Sequence, residues 1–336
     1  MTRARQASLC CFVMLACALL GACAIQAVRP DGSPEPVPVD AYLRSGARTL
    51  WVAPHPDDEL FAGALLARAS IHYGLPLRML VLTRGGGGEC GLGRGCSPDL
   101  AAVRTGEMRR AADLYRAELQ QEDLFNAPLP VESFPSPEEI LARWRSQTDP
   151  VRLIASAIRR FRPDLLLTFD PHWGATGHPE HQLTARLCVE AVRLAADPKT
   201  EIEGLPAHRT GRIYFLQNRY WLLALVGRAD PGPVTETWDA RLPCGEQSCL
   251  DFMLRATRYH RSQHRDMARV HAHRSAFETL HLRQVDPFEP SPLDTSPPDP
   301  LSQRERGDLA TPEAEGDLAA PEAETDSAAP EGEAGD

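Results

Sequence analysis

The stretch Trp51-Val52-Ala53-Pro54-His55-Pro56-Asp57-Asp58-Glu59-Leu60 decides the fold class predicted for this chain. An apolar run, 49–53, ends abruptly in two prolines, one histidine and three consecutive acids, and a helical pattern starts at about Leu60. This order predicts a buried strand whose carboxyl end delivers polar side chains to a loop, which is where ligands bind in open α/β sheets. Because adjacent carboxylates repel one another, the three acids point to a nearby cation. The structural alternative is an acidic first turn of the following helix.

Predicted strands alternate with predicted helices along most of the chain. We expect strands at 49–53, 77–83, 165–169, 212–216 and 234–238. We expect helices at about 60–72, 97–119, from 136 onward, 150–161, 179–196 and 248–260. Ser97-Pro98 and Ser136-Pro137 each read as an N-cap followed by proline at the first helical position. The alternation predicts an α/β fold, with a parallel sheet covered on both faces and one domain over 47–285.

The start of the chain is predicted to lie outside the fold. Two arginines precede an apolar run, 7–20, which is followed by small residues up to Cys23. A positive end, a short apolar core and small residues at the cut are typical of a secretory signal, here 1–22. Leu20-Gly21-Ala22-Cys23 also resembles the bacterial lipobox, which implies lipid attachment to Cys23 and a membrane anchor that does not span the bilayer. The alternative is an ordinary signal peptide with an incidental cysteine.

Proline-rich residues 23–46 lack a clear period, so we expect a spacer between the anchor and the domain. Together with the signal, this predicts a protein of the bacterial cell envelope, lipid-anchored and facing the periplasm or the surface.

The end of the chain, 286–336, contains a nine-residue acidic repeat with almost nothing to bury. It is predicted to be a disordered tail, which serves either as an interaction segment or as a solvated spacer. From Leu301 onward, eleven acids and two arginines carry −9 of the net charge of −10, which leaves about −1 for residues 1–300. A near-neutral body without a basic stripe excludes nucleic acid as the expected partner.

Four cysteines of the exported part form two close pairs. Cys90 and Cys96 flank a glycine-rich loop, and Cys244 and Cys249 flank another polar loop. In an oxidising compartment each pair is interpreted as a local disulfide. Zinc binding by the four is the alternative, although neither pair has the short spacing of a zinc motif. Cys188 lies in an apolar helical run and is expected to be a buried free thiol.

A second stretch, 169–181, repeats the design of the first: it follows a predicted strand and ends in His-Pro-acid at the start of a helix. Because parallel strands end at the same edge of a sheet, the two loops can meet. Together they offer His55, Asp58 and His181, and two histidines plus a carboxylate, with a place left for water, are typical of a catalytic zinc site. Each histidine alone is more often structural, but the joint pattern favours a metal site.

Two further polar residues fit hydrolysis at such a site. Asp57, between the metal-facing neighbours, points elsewhere and is free to act as a general base toward a water that zinc activates. His178, three residues before His181, is placed to donate a hydrogen bond or a proton to the leaving group.

At these residues the chain resembles a known family. His55-Pro56-Asp57-Asp58-Glu59 and His178-Pro179-Glu180-His181 look like the two signature motifs of the PIG-L/LmbE-like deacetylases. Weaker matches continue between about Ala47 and Arg283, in Val81-Leu82-Thr83, in Arg104 with Glu107, and in His260-Arg261-Ser262-Gln263. The resemblance implies a Rossmann-like, mostly parallel sheet with helices on both faces. It also implies a zinc-dependent amidase that removes acetyl groups from N-acetylglucosamine-containing molecules.

The resemblance assigns metal-site roles by position. It implies that His55, Asp58 and His181 bind Zn²⁺, with another divalent metal as the alternative, and that Asp57 is the general base. His178 would stabilise the tetrahedral intermediate or protonate the departing amine.

The resemblance also concerns the substrate side of the site. Arg104 matches an arginine that contacts substrate in relatives. Two departures stand out: the second motif usually has aspartate where this chain has Glu180, and the loop 85–96, with its expected disulfide, would reshape the pocket.

Three weaker signals favour ordinary structure. Gly85–Gly88 lacks the lysine of a phosphate loop, so a flexible pocket rim is the better interpretation. Ser262 has no nucleophile-elbow setting, which disfavours a serine hydrolase. Scattered histidines in a polar stretch are expected at the surface rather than in a second metal site: His260, His264, His271, His273 and His281.

As a whole, the sequence predicts a hydrolase acting on linear amides, with an N-acetylated envelope sugar or glycolipid as its substrate. Two alternatives stay open: a non-catalytic, metal-containing saccharide-binding lipoprotein, and an amidase acting on a non-sugar N-acyl amine. The intact Asp57 argues against the binding protein, which has no need of a free base.

Overall fold

A seven-stranded sheet forms the centre of the fold in this computed structural model, which describes residues 38–219, 230 and 232–289. The strands are β1 Thr49–Ala53, β2 Leu77–Thr83, β3 Glu118–Leu124, β4 Leu165–Phe169, β5 Arg212–Gln217, β6 Glu236–Asp239, β7 Pro243–Cys244, β8 Gln247–Ser248 and β9 Thr279–Val285. The order across the sheet is β3-β2-β1-β4-β5-β9-β6, and β7 pairs with β8 in a separate hairpin. The first five strands in this order are parallel, whereas β9 runs antiparallel to both of its neighbours. The mostly parallel α/β sheet predicted from the sequence is therefore confirmed.

The strand order reverses direction between β1 and β4. From β1 the chain moves outward through β2 to β3, and it then returns to β4 on the other side of β1. The loops after two adjacent strands are thus drawn apart by helices on opposite sides, which opens a crevice at their carboxyl ends. Both motif-bearing loops leave the sheet at this crevice.

Eight α-helices surround the sheet within the described part of the chain. They are α1 Val39–Arg44, α2 Gly63–Ala67, α3 Leu100–Leu114, α4 Pro137–Gln147, α5 Pro150–Phe161, α6 Pro179–Ala196, α7 Cys249–Thr257 and α8 His264–Ala272. Side chains of β1 alternate between two buried clusters, with Trp51 in one and Leu50 and Val52 in the other. Since successive residues of a strand face opposite sides, the sheet is covered on both faces, as predicted.

Local signals fix several boundaries where the sequence predicts them. Strands β1, β2 and β4 and helices α5 and α6 have the expected limits. Ser136 and Glu139 form the capping box that starts α4. Helix α5 starts at Pro150, where the Asp149 carboxylate accepts from two backbone N–H groups.

Other boundaries differ from the prediction. Helix α3 begins at Leu100 rather than after Ser97, because the Asp99 side chain accepts the hydrogen bond of the Ala102 N–H and is the true N-cap. The helix also ends at Leu114, before the predicted 119. The polar segment that follows forms the edge strand β3, which pairs with β2 alone and stays half-exposed, so it lacks an apolar pattern.

The helix predicted after the first motif, at about 60–72, is α-helical only over Gly63–Ala67. A 3₁₀ turn, Asp58–Phe61, precedes α2, and a π turn, Arg68–His72, follows it. Strand β6 and helix α7 lie within two or three residues of the expected limits. Strand β9 was not predicted, because arginine and histidine interrupt its apolar alternation.

The domain extends slightly beyond the predicted limits of 47–285. Val39 and Leu43 of α1 lie in the core, and Phe288 packs against it. The predicted signal 1–22, the lipidation site Cys23 and most of the predicted linker and tail lie outside the described residues. Among the helices that the structure describes, none combines the length and the apolarity that a membrane span needs.

Candidate metal centre

Three polar side chains from the two motif loops meet at the carboxyl ends of β1 and β4. Asp58 Oδ2 lies 3.2 Å from His55 Nδ1, and Asp58 Oδ1 lies 3.0 Å from His181 Nε2. The two imidazole nitrogens are 3.2 Å apart. The structure therefore brings together His55, Asp58 and His181, here called the triad, although 123 residues or more separate the last from the others in sequence.

Each loop builds its part of the triad by a different local device. In the first, the backbone N–H of His55 donates to Asp58 Oδ2 at 2.8 Å. This hydrogen bond holds the Asp58 carboxylate next to His55, where the turn begins. In the second, His178 caps α6 and Pro179 occupies its first position, which places His181 in the first turn. Gly174 allows this approach, because a Cβ on it would lie 2.6 Å from His181 Cβ.

Hydrogen bonds on the outer side of each imidazole determine its tautomer. His181 Nδ1 donates to the carbonyl oxygen of Gly174 at 2.7 Å, and His55 Nε2 donates to Glu180 Oε2. In the neutral rings, His55 Nδ1 and His181 Nε2 therefore both present lone pairs to each other and to the Asp58 carboxylate. Lone pairs held this close repel unless a positive charge lies between them.

The donor set fits a divalent metal. The triad members are 8%, 5% and 3% exposed, so water does not screen the repulsion between their lone pairs. Their spacings of 3.0–3.2 Å are close to the roughly 3.3 Å between ligand atoms that bind tetrahedral zinc at about 2.0 Å. Nitrogen and oxygen ligands with two histidines suit zinc or a similar ion.

The electrostatics of the triad favour positive charge at the same point. Burial opposes the charged imidazole, but the carboxylates of Asp58 and Glu180 raise the pKa of His55 to about 10. Burial likewise opposes the charged carboxylate, yet His181 and His55 hold the pKa of Asp58 well below its ordinary value. A site that stabilises a proton this strongly also stabilises a cation.

Asp57 is next to the triad but faces away from it. Its φ of +87° lies in the left-handed region, which is uncommon for residues other than glycine. This conformation turns the carboxylate toward Arg104, whose Nη2 lies 2.8 Å from Asp57 Oδ1. Burial raises the pKa of Asp57 above its ordinary value, although Arg104 opposes the shift. A carboxylate with a raised pKa beside a metal site is suited to accept a proton.

Arg104 is buried and engaged with the protein itself. Besides Asp57, it donates to the carbonyl oxygens of Pro56 and Gly85. These contacts fix Arg104 beside the Asp57 carboxylate, so in this structure its partners are protein groups. Its contact with substrate, which the family resemblance implies, stays a prediction.

His178 is half-buried and lies over the triad. Its ring is 4.6 Å from the ring of His55 and 4.6 Å from that of Phe134. Burial and the two neighbouring imidazoles hold the pKa of His178 well below its ordinary value. Its Nδ1 accepts from the backbone N–H of Glu180 at 3.2 Å, whereas the Glu180 carboxylate reaches His55 instead.

The prediction that His260 lies at the surface is wrong. It is 1% exposed, and its Nε2 donates to Glu59 Oε1 at 2.6 Å. Two residues on, Ser262 donates from its N–H and its hydroxyl to the Glu107 carboxylate. The pairs anchor the turn 260–263 to the first motif and to α3. The match of this turn to the family was the only sequence signal for these contacts.

The glycine-rich loop 85–96 forms one rim of the site. The structure joins Cys90 to Cys96, and the Gly91 N–H donates to the Ser262 carbonyl oxygen at 2.7 Å. Gly87 packs so tightly on the Ala127 carbonyl that a Cβ would lie 2.4 Å from its oxygen. Contacts with Ser262 on one side and with Ala127 on the other therefore hold the loop in place.

Three further cysteines, Cys188, Cys244 and Cys249, lie in the part of the chain that the structure describes. The structure joins Cys244 to Cys249. Cys188 is a buried free thiol whose pKa burial raises to about 12.

Comparison with known proteins agrees with this geometry. Residues 50–192, which contain both loops, match the PIG-L family, described as GlcNAc-PI de-N-acetylase. A Thermobifida fusca protein named 1D-myo-inositol 2-acetamido-2-deoxy-alpha-D-glucopyranoside deacetylase is 30% identical over 206 residues, which are 56% of this chain and 69% of that protein. A second deacetylase, from Catenulispora acidiphila, is 27% identical, and the match spans 57% of this chain and 59% of that protein's length.

A solved structure shares the fold. The N,N'-diacetylchitobiose deacetylase from Pyrococcus horikoshii aligns with a TM-score of 0.51 at 18% identity, over 72% of this chain and 85% of that one. Similarity at this level of identity concerns the fold alone. Sequence, fold and triad together show that this chain belongs to the PIG-L family of de-N-acetylases, which are hydrolases acting on amides.

Proposed function

We propose that this protein removes the acetyl group from an N-acetylglucosamine-containing molecule, with zinc held by the triad. The observation that carries the proposal is the division of labour between two adjacent acids. Asp58 faces the two imidazoles, and Asp57 is turned away from them onto Arg104. One carboxylate thus serves the metal while the other is left to exchange protons.

The chain's own residues account for the proton transfers of amide hydrolysis. When bound, zinc supplies a Lewis acid that polarises the amide carbonyl and makes water easier to deprotonate. Asp57 accepts a proton from the water whose oxygen bonds to the carbonyl carbon. As the carbon–nitrogen bond breaks, Asp57 returns that proton to the departing nitrogen, so that the products are acetate and a free amine. Arg104 keeps the Asp57 carboxylate oriented throughout.

His178 fits the stabilising role better than the acid role. Because its Nδ1 accepts from the Glu180 N–H, the proton of the neutral ring is on Nε2. The lowered pKa keeps the ring neutral near pH 7. A neutral donor supports the negative oxygen of the tetrahedral intermediate without giving up its proton.

Acetate release from a substrate panel tests the proposal. Wild type is compared with Asp57→Asn on N-acetylglucosamine, its alkyl glycosides and a non-sugar N-acetyl amine, and bound zinc is measured in both proteins. We expect turnover of the sugars alone, and a fall on the order of 10²–10⁴-fold in Asp57→Asn with zinc retained. Equal rates in the two proteins would overturn the base assignment, and turnover of only the non-sugar amide would overturn the substrate class.

We further propose that the protein acts in the bacterial cell envelope, anchored through a lipid on Cys23. The support is the signal-like sequence 1–22 and the small residues before Cys23. The two disulfides suit an oxidising compartment. Fractionation of cells that express wild type or Cys23→Ser tests this: we expect the wild type with the membranes and the variant in the soluble fraction. The same distribution for both would contradict lipid anchoring.

A further inference from the structure

The Glu180 carboxylate collects three hydrogen bonds in a fully buried position. It is 0% exposed, and its donors come from two separate parts of the chain. Oε2 accepts from His55 Nε2 and from Asn126 Nδ2, the latter at 2.8 Å, and Oε1 accepts from the Ala127 N–H at 2.7 Å. A buried carboxylate with this many donors is fixed in place, since breaking any of the bonds leaves a buried polar group unpaired.

The orientation of the Asn126 amide is itself determined. Its Oδ1 accepts from the Gly87 N–H at 2.7 Å, so its Nδ2 must face Glu180. A continuous series of hydrogen bonds therefore runs from the glycine-rich rim to a member of the triad: Gly87 to Asn126, Asn126 to Glu180, and His55 to Glu180.

We propose that Glu180 is a positioning residue of the metal centre, which holds His55 in the tautomer and orientation that aim its Nδ1 at the ion. The proposal rests on the proposed function only in taking the triad to bind a metal. A carboxylate on the outer nitrogen of a histidine ligand orients the ring and strengthens it as a ligand. In this chain the second motif thus supplies one ligand, His181, and through Glu180 it also orients His55, a ligand from the first motif.

The length of the Glu180 side chain matters to this role. An aspartate, which is usual at this position of the motif, is shorter by one carbon–carbon bond of about 1.5 Å. With the backbone unchanged, its carboxylate would be withdrawn toward α6 by about that distance, which would lengthen the hydrogen bonds with His55, Asn126 and the Ala127 N–H. The glutamate therefore explains how one side chain spans from α6 both to the loop after β1 and to the residues after β3.

Metal affinity and a cobalt spectrum test the proposal without relying on turnover. Zinc affinity is measured by chelator competition, and the visible absorption of the Co²⁺-loaded protein reports ligand geometry. For Glu180→Gln and Glu180→Asp we expect 10–100-fold weaker zinc binding and a shifted Co²⁺ spectrum. Asn126→Ala removes one hydrogen-bond donor to Glu180 and keeps the carboxylate, so it should weaken zinc binding only a few-fold. This variant replaces the Glu180 variants in the test if those do not fold.

Glu236→Gln is the matched control. Glu236 also accepts a backbone N–H, from Val39 at 2.8 Å, and lies on β6 at the far edge of the sheet. It should lower stability without changing zinc affinity or the Co²⁺ spectrum. Unchanged affinity and spectrum in folded Glu180→Gln, or in Asn126→Ala where the Glu180 variants do not fold, would overturn the proposal. Failure of acetate release in a wild type that binds zinc would instead overturn the proposed function alone.

Discussion

The two loops that supply the triad place their side chains by different means. The first, after β1, is a tight turn that supplies His55, Asp58 and Asp57 within four residues and holds Asp57 at a φ of +87°. The second, after β4, places Glu180 and His181 on the regular first turn of α6. In the first loop the positive φ belongs to a site residue itself, Asp57, whereas in the second the positive-φ residues, Gly174, Ala175 and Gly177, precede the capped helix that carries the site side chains. Changes to the backbone should therefore harm the first loop differently from the second.

The largest expected effect concerns metal binding by both loops. Asp58→Asn removes a ligand of the first loop, and His181→Gln removes one of the second. Each should weaken zinc binding on the order of 10²–10³-fold, which is one ligand's share of the total binding free energy. Chelator competition measures this. If only one of the two variants lost affinity, the loops would not hold the same ion.

A smaller effect is expected where the second loop approaches its helix. Gly174 has a φ of +60°, and a Cβ there would lie 2.6 Å from His181 Cβ and 3.0 Å from the Gln182 nitrogen. Gly174→Ala should therefore lower the free energy of unfolding by about 3 kcal/mol, from backbone strain plus overpacking. It should also weaken zinc binding, because His181 must move.

Gly204→Ala is the control for Gly174→Ala. Gly204 has a similar φ of +68°, but a Cβ there would meet nothing within 4 Å. Urea unfolding should show a loss of about 1 kcal/mol from strain alone, with zinc affinity unchanged. Equal losses in the two variants would mean that the contact with His181 is unimportant.

The smallest effect concerns the backbone of the first loop. Asp57→Gly and Asp57→Ala both remove the carboxylate, but only glycine adopts a positive φ without strain. After allowance for the greater entropy of an unfolded glycine, the Gly variant should be more stable than the Ala variant by about 0.5–1 kcal/mol. Urea unfolding of both measures the difference. An alanine variant of equal or greater stability would show that the turn is not strained at this residue.

The contrast between the loops also explains what the sequence could predict. Strands β1 and β4 are short apolar runs ended by Pro54 and by Asp170-Pro171, so their limits and the shared edge of the sheet followed from local pattern. Strand β3 was missed because its pairing with β2, and not its own polar sequence, makes it a strand.

The triad itself was predictable from motif and topology, but its surroundings were not. The burial of His260 depends on Glu59, 201 residues away, and a polar, arginine-rich segment gives no local sign of it. The partner of Glu180 depends on the distance between two loops in space. Such contacts come from tertiary packing, which the spacing of residues along the chain does not encode.

Anomalous scattering at the zinc edge, from a crystal of the zinc-loaded protein, would show directly whether both loops bind one ion. We expect one strong peak at about 2.0–2.2 Å from His55 Nδ1, an Asp58 carboxylate oxygen and His181 Nε2, with the Asp57 carboxylate still bonded to Arg104. A peak bound to only one of the two loops, or with Asp57 as a ligand in place of Asp58, would contradict this expectation.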